Sequence, residues 1–177
     1  RRLADKLGFS AGMRFHNLSV ADSITSERLP AQVDLVTALH ACDTATDEAI
    51  RFALEKQARF IVLVPCCQAE VAAVLRKNKQ QALREPLAEL WRHPIHTREF
   101  GSQITNVLRC LRLEAHGYEV TVTELVGWEQ SMKNELIIAR WTGQRKHSAA
   151  QRLHELLEQF GLQELAGLRF ARTPRPA

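Results

Sequence analysis

Apolar positions in this chain come in short blocks, and the blocks differ in period. Residues 33–39 (VDLVTAL) and 60–64 (FIVLV) are near-continuous apolar runs of strand length. That is how strands covered on both faces read. Between them Ile50, Ala53 and Leu54 form a stripe at helical spacing over 46–57. Thr44 with Asp47 three residues later is a capping pattern at the start of that helix. Pro65 breaks the second run, and a helix follows over 69–78. Strand, helix, strand, helix makes a βαβ unit, with parallel strands and a right-handed crossover.

The flanks are less regular. Residues 1–7 read as the end of an amphipathic helix, stopped by Gly8. Residues 13–18 (MRFHNL) alternate as a short strand, and 19–30 are a polar connection with one helical turn. Residues 79–97, with Pro86 and Pro94, are polar and irregular. Ile104, Val107, Leu108, Leu111 and Ala115 give a helix over 102–116, ended by Gly117. Residues 118–126 (YEVTVTELV) and 135–141 (ELIIARW) pair as an antiparallel hairpin closing the sheet. Ala149, Leu153, Leu156, Leu157 and Phe160 share one side of a last helix over 147–160. The expected fold class is α/β, as one domain over 1–171 with a mobile proline-containing tail over 172–177.

Composition adds bounds. The chain has 177 residues, 45% hydrophobic and 25% charged, an ordinary globular balance. Its apolar runs fall far short of the roughly 20 residues of a membrane span, so no membrane partner is expected. Arg1 opens directly inside a helical pattern, and the expectation is a cropped chain whose N-terminal part is missing. The four cysteines, Cys42, Cys66, Cys67 and Cys110, lack the framework of a small secreted domain, so reduced thiols and a cytoplasmic location are expected. The formal charge is +4. Basic groups cluster at Arg76, Lys77 and Lys79, at Arg92 and Arg98, at Arg140, Arg145 and Lys146, and at Arg169, Arg172 and Arg175. Such clusters attract nucleic acid by releasing counterions, or form a solvated face.

Chemistry concentrates at two strand ends. In open parallel sheets, ligands bind beyond the carboxyl ends of the strands. The first buried run ends in His40, Cys42 and Asp43, the second in Pro65, Cys66, Cys67 and Gln68. As neighbours about 4.8 Å apart, the two ends would share one hollow. Each precedes a helix N-terminus, which lowers the pKa of a nearby thiol. Cysteine is also a common small core residue, and that reading holds for Cys110. His40, Cys42, Cys66 and Cys67 have enough ligand atoms for zinc, but lack C-x-x-C spacing, so no metal is assigned. His40 is a base for proton transfer or a packing group for a cofactor. Asp43 holds a substrate amine or orients His40. Asp47 is read as the capping partner of Thr44.

The strings DLVTALHACDTATDEAI and RFIVLVPCCQ resemble a family of methyltransferases. This family includes the tRNA acceptor-stem 2′-O-methyltransferases and related methyltransferase-like domain proteins. The shared features are H-x-C-x-x-A-T-D (His40, Cys42, Ala45, Thr46, Asp47) after one strand and the pair Cys66-Cys67 after the next. A third is SMKNELIIA, similar to T-P-K-N-x-L-I-x-A, with Ser131 and Met132 in place of Thr-Pro. The resemblance covers about 13–143. It implies a Rossmann-like, mostly parallel sheet ending in an antiparallel hairpin, with residues 13–18 as its third strand. It implies S-adenosylmethionine as cofactor, with Ser19 and Val20 at the adenine and Ala38, Leu39 and His40 at the methionine part. It places the glycine-rich loop and the ribose-binding acid ahead of Arg1.

The expected function is S-adenosylmethionine-dependent methyl transfer to RNA. His40, Cys42, Asp43, Cys66 and Cys67 are the catalytic candidates, and Arg92, Arg98, Lys133 and Asn134 contact substrate. One alternative uses a cysteine as covalent nucleophile on a pyrimidine ring, as RNA 5-methylcytosine enzymes do. Others are protein or small-molecule methylation, with the loop over 79–101 deciding, or a non-catalytic Rossmann-like binding module.

Overall fold

A computed structural model describes residues 2–66, 68–78, 89, 92–127, 129–130, 134–167 and 169–170. Cys67, Lys133, most of the loop after residue 78 and the tail over 172–177 lie outside the described residues.

The elements run α1 (Arg2–Lys6), a 3-10 turn (Ser10–Gly12), α2 (Val20–Thr25), β1 (Leu35–Leu39), α3 (Thr44–Glu55) and β2 (Phe60–Val64). Then come α4 (Glu70–Lys77), α5 (Pro94–Ala115), β3 (Tyr118–Glu124), β4 (Glu135–Trp141), α6 (His147–Gln159) and α7 (Gln163–Ala166). No helix among the described residues is long and apolar enough to cross a membrane.

The sheet order is β1-β2-β4-β3. β1 and β2 are parallel, with Leu39 opposite Val64, because the intervening α3 returns the chain to the same end. β4 is antiparallel to both β2 and β3. The sheet is therefore mixed: β1, β2 and β3 run one way and β4 the other, and β3 and β4 form the expected antiparallel pair. Helices lead from β1 to β2 and from β2 to β3, which keeps these three in one direction, while β3 and β4 are joined with no intervening helix among the described residues and pair antiparallel.

Two apolar cores form around this sheet. Val36, Ile61, Leu63, Tyr118, Ile137 and Ala139 point to one side and meet Ile50, Ala53 and Leu54 of α3 and Leu113 of α5. The second core is helical: Val71, Val74 and Leu75 of α4, Ile104, Leu108 and Leu111 of α5, and Ala149, Leu153 and Leu157 of α6.

Three expectations change. The other side of β1 is open, with Leu35 at 53% and Leu39 at 61% exposure, so β1 is covered on one face only. Residues 13–18 form no strand. Their apolar members Met13 and Phe15 are exposed, and no described strand lies beside them. A strand needs a partner for its backbone groups, and alternation alone supplies none. Finally, α5 starts eight residues earlier than residue 102, with Pro94 in its first turn, where the missing N–H costs nothing. Gly101 then lies mid-helix. A Cβ there would fall 2.8 Å from the Cβ of Ala72 and 2.9 Å from its backbone, so glycine lets α5 lie against α4.

Candidate functional site at the strand tips

Parallel pairing brings the carboxyl ends of β1 and β2 together. The His40 N–H donates to the Val64 carbonyl at 2.9 Å, extending the ladder one residue past β1. Beyond it, the Cys42 and Cys66 sulfurs are 3.3 Å apart. Cys42 and His40 are exposed, and Cys66 is half-buried. The tips of both strands thus form one surface, as expected of His40, Cys42, Asp43 and Cys66.

The link from β1 to α3 is bent and tied down. His40 and Asp43 have φ of 53° and 47°. A positive φ is uncommon for any residue with a side chain, and each such residue costs on the order of 1–3 kcal/mol. Tertiary bonds offset that cost. The Ala41 carbonyl accepts from Thr46 Oγ1 at 2.6 Å. The Asp43 carbonyl accepts from Arg109 Nη2 at 2.8 Å. Asp43 Oδ1 accepts from the backbone N–H groups of Ala69 and Glu70, both at 3.3 Å. Asp43 therefore ties the β1 tip to the start of α4, a role its sequence position did not announce.

Behind the tips lies a buried polar chain. Arg109 donates to both Asp47 oxygens and, through Nη1, to Asn106 Oδ1 at 3.1 Å. Gln68 Nε2 donates to the same Asn106 oxygen at 3.1 Å, and Ser102 Oγ donates to Gln68 Oε1. Asn106 Nδ2 donates to Glu135 Oε2 at 2.7 Å. Asp47 consequently pairs with Arg109 instead of serving as the capping partner of Thr44. Two-point pairing with a guanidinium is the stronger option for a buried carboxylate. Sequence reasoning missed Arg109, Asn106, Gln68 and Ser102 as members of this group. The available signal was Ser102, Asn106 and Arg109 at helical spacing on one side of α5.

A cleft of about 370 Å³ opens beside Cys66, lined among others by Glu99, Ser102, Asn106, Glu124 and Glu135. Its wall carries carboxylates and amides and no described cation. Asn134 also lines it. Its side-chain amide donates to the Val126 carbonyl, and its own carbonyl accepts from the Leu125 N–H, so it closes the loop between β3 and β4.

The remaining sequence candidates are dispersed. Ser19 caps α2: its Oγ accepts from the Asp22 N–H at 3.0 Å and donates to Asp22 Oδ2 at 2.6 Å. Val20 is half-buried in the same helix. Ala38 and Leu39 end β1 next to His40. Arg92 and Arg98 are exposed and ion-paired with Glu89 and Glu99. Cys110 packs against the sheet-side core. Burial first, then Glu135 and Glu114, push its thiol up to about 12.

Residues 1–74 match a family described as a methyltransferase domain. This supports a methyltransferase assignment on the part of the chain that contains β1, β2 and both of their tips. No curated protein matches the chain, and no solved structure does.

Proposed function

We propose that the chain carries the acceptor-facing side of an S-adenosylmethionine-dependent methyltransferase acting on RNA. The observation that carries this is the meeting of the His40–Asp43 and Cys66 tips, with Cys66 also lining the adjacent cleft, within a stretch matching a methyltransferase domain. The order β1-β2-β4-β3 is compatible with a Rossmann-like sheet ending in an antiparallel hairpin.

The residues present fit one side of S-adenosylmethionine. Leu39 is an exposed apolar side chain at the strand tip and Ala38 beside it is small, which suits the uncharged part of the ligand. Val20, half-buried at the start of α2, offers an apolar contact for a flat ring. On this reading Ser19 and Val20 meet the adenine, and Ala38 to His40 meet the methionine part. The cofactor supplies a methyl group already activated on a sulfonium. What remains for the chain is alignment and proton removal. His40, exposed and with no hydrogen bond on its ring among the described residues, is the base we assign. Asp43, Thr46 and Arg109 hold the segment that carries it.

Acidic and amide groups in the cleft accept N–H bonds from a base edge, as Glu and Asp do from the cytosine amine. Phosphates would stay outside, at Arg92 and Arg98. Their present ion pairs are exposed and weak, so phosphate can replace the glutamates.

The test is titration calorimetry of the full-length protein with S-adenosylmethionine, followed by labelled methyl transfer to RNA at low salt. Heat of binding and transfer lost in His40→Ala are expected. No binding heat ends the reading. Binding without any RNA association removes RNA as the substrate class. The contact between Cys42 and Cys66 favours a second reading, in which a cysteine attacks a pyrimidine ring. A covalent adduct with RNA containing fluorinated cytosine, absent in Cys42→Ala or Cys66→Ala, would select it.

A further inference from the structure

The geometry points to Cys42 and Cys66 as a reversible dithiol that hydrogen peroxide closes into a disulfide. Their sulfurs are 3.3 Å apart, with either able to donate to the other. A disulfide needs about 2.05 Å, so closure asks for a movement of little more than about 1 Å. The strands beneath are paired up to the residues just before the two cysteines. Leu39 is opposite Val64, and the His40 N–H bond to Val64 ties the next residue.

Access differs between the chain's thiols. Cys42 is exposed and Cys66 half-buried, whereas Cys110, also half-buried, packs against the sheet-side core with its thiol held protonated. Cys42 is therefore the sulfur that meets peroxide first, and Cys66 resolves it. In the first step the Cys42 thiolate attacks a peroxide oxygen. An S–O bond forms as the O–O bond breaks, and one water leaves. In the second, the Cys66 thiolate attacks the sulfenic sulfur. The S–S bond forms, the S–O bond breaks, and hydroxide leaves as water with the second proton. The dithiol loses two electrons to the peroxide, and thiol reductants reverse the reaction by exchange.

The bridge would bind the two strand tips across the site proposed above for methyl transfer. That consequence rests on the methyltransferase reading, while the bridge itself does not. The test treats the whole chain with equimolar hydrogen peroxide, blocks remaining thiols with N-ethylmaleimide and maps peptides without reduction. The expected product is one peptide pair joining the segments of Cys42 and Cys66, lighter by two hydrogens and split by dithiothreitol. It should persist in Cys67→Ser and vanish in Cys42→Ser and in Cys66→Ser, with circular dichroism confirming that each variant folds. A bridge that survives Cys66→Ser but is lost in Cys67→Ser overturns the assignment. So does a sulfinic acid at Cys42 with no bridge, or a Cys66–Cys67 bridge. Titration with S-adenosylmethionine before and after oxidation reads the consequence separately. A chain that bridges but never binds the cofactor keeps the dithiol and loses the methyltransferase reading.

Discussion

Arg109 and Asp47 face each other through a parallel pair of hydrogen bonds, 2.9 Å from Nε to Oδ1 and 2.7 Å from Nη2 to Oδ2. The guanidinium is wholly out of solvent. A pair this deep is most sensitive to the loss of one partner, because the other charge is then stranded. Arg109→Met should lower unfolding free energy by about 3–5 kcal/mol, read from urea denaturation. Replacing both, as Arg109→Met with Asp47→Leu, should recover most of that. A double variant no better than the single one would show that the bonds to Asp43 and Asn106 dominate.

Gly117 turns the chain from α5 into β3 at φ +93°, and a Cβ there would fall 2.6 Å from the Trp141 ring. Both the backbone and the ring oppose a side chain. Gly117→Ala should destabilise by about 1–3 kcal/mol, visible as a lower urea midpoint. An unchanged midpoint would mean that Trp141 swings away without cost.

Cys110 predicts a pH dependence. Its thiol is raised from 9.0 to about 12, by burial first and then by Glu135 and Glu114, against Arg109. The folded value is above the unfolded one, so the folded chain keeps a proton that the unfolded chain releases. This contribution is complete below about pH 9 and is lost as pH climbs toward 12. Urea midpoints at about pH 8 and about pH 10 should therefore diverge less in Cys110→Ala than in the parent chain. Equal divergence in the two proteins would refute the assignment. Cys110 should also react with Ellman's reagent more slowly than Cys42.

Local pattern was a good guide where it coincided with packing. Residues 60–64 and 135–141 are strands residue for residue, because β-branched and apolar side chains there also fill the core. Residues 13–18 have the alternation but no neighbour, and pairing is a property of distant chain. The strand-tip meeting of Cys42 and Cys66 was legible because the parallel βαβ arrangement fixes which ends are shared. Arg109 was not. A charged residue on a helix reads as solvated until its burial is known, and Asp47, its partner 62 positions away, had a satisfactory local reading as a cap. Cys67 and Lys133 lie outside the described residues, and so do residues 79–88, 90 and 91, about half of the loop expected to choose the substrate.

Leu35 is 53% exposed on the outermost of the described strands, at the opposite end of β1 from Cys42. An apolar edge strand is a template for pairing with another chain. Leu35→Lys should change stability by no more than about 0.5 kcal/mol and reduce self-association in light scattering. Equal scattering from both proteins would clear this edge.

α5 gives Leu113 to the core beneath the sheet and Ile104, Leu108 and Leu111 to the core among the helices. It works as a tie beam between two compartments that otherwise share few residues. Neither compartment can melt while the beam stays seated in the other. Warming should therefore dismantle both in one cooperative event, seen as a single heat-absorption peak, although the chain has two separate apolar interiors.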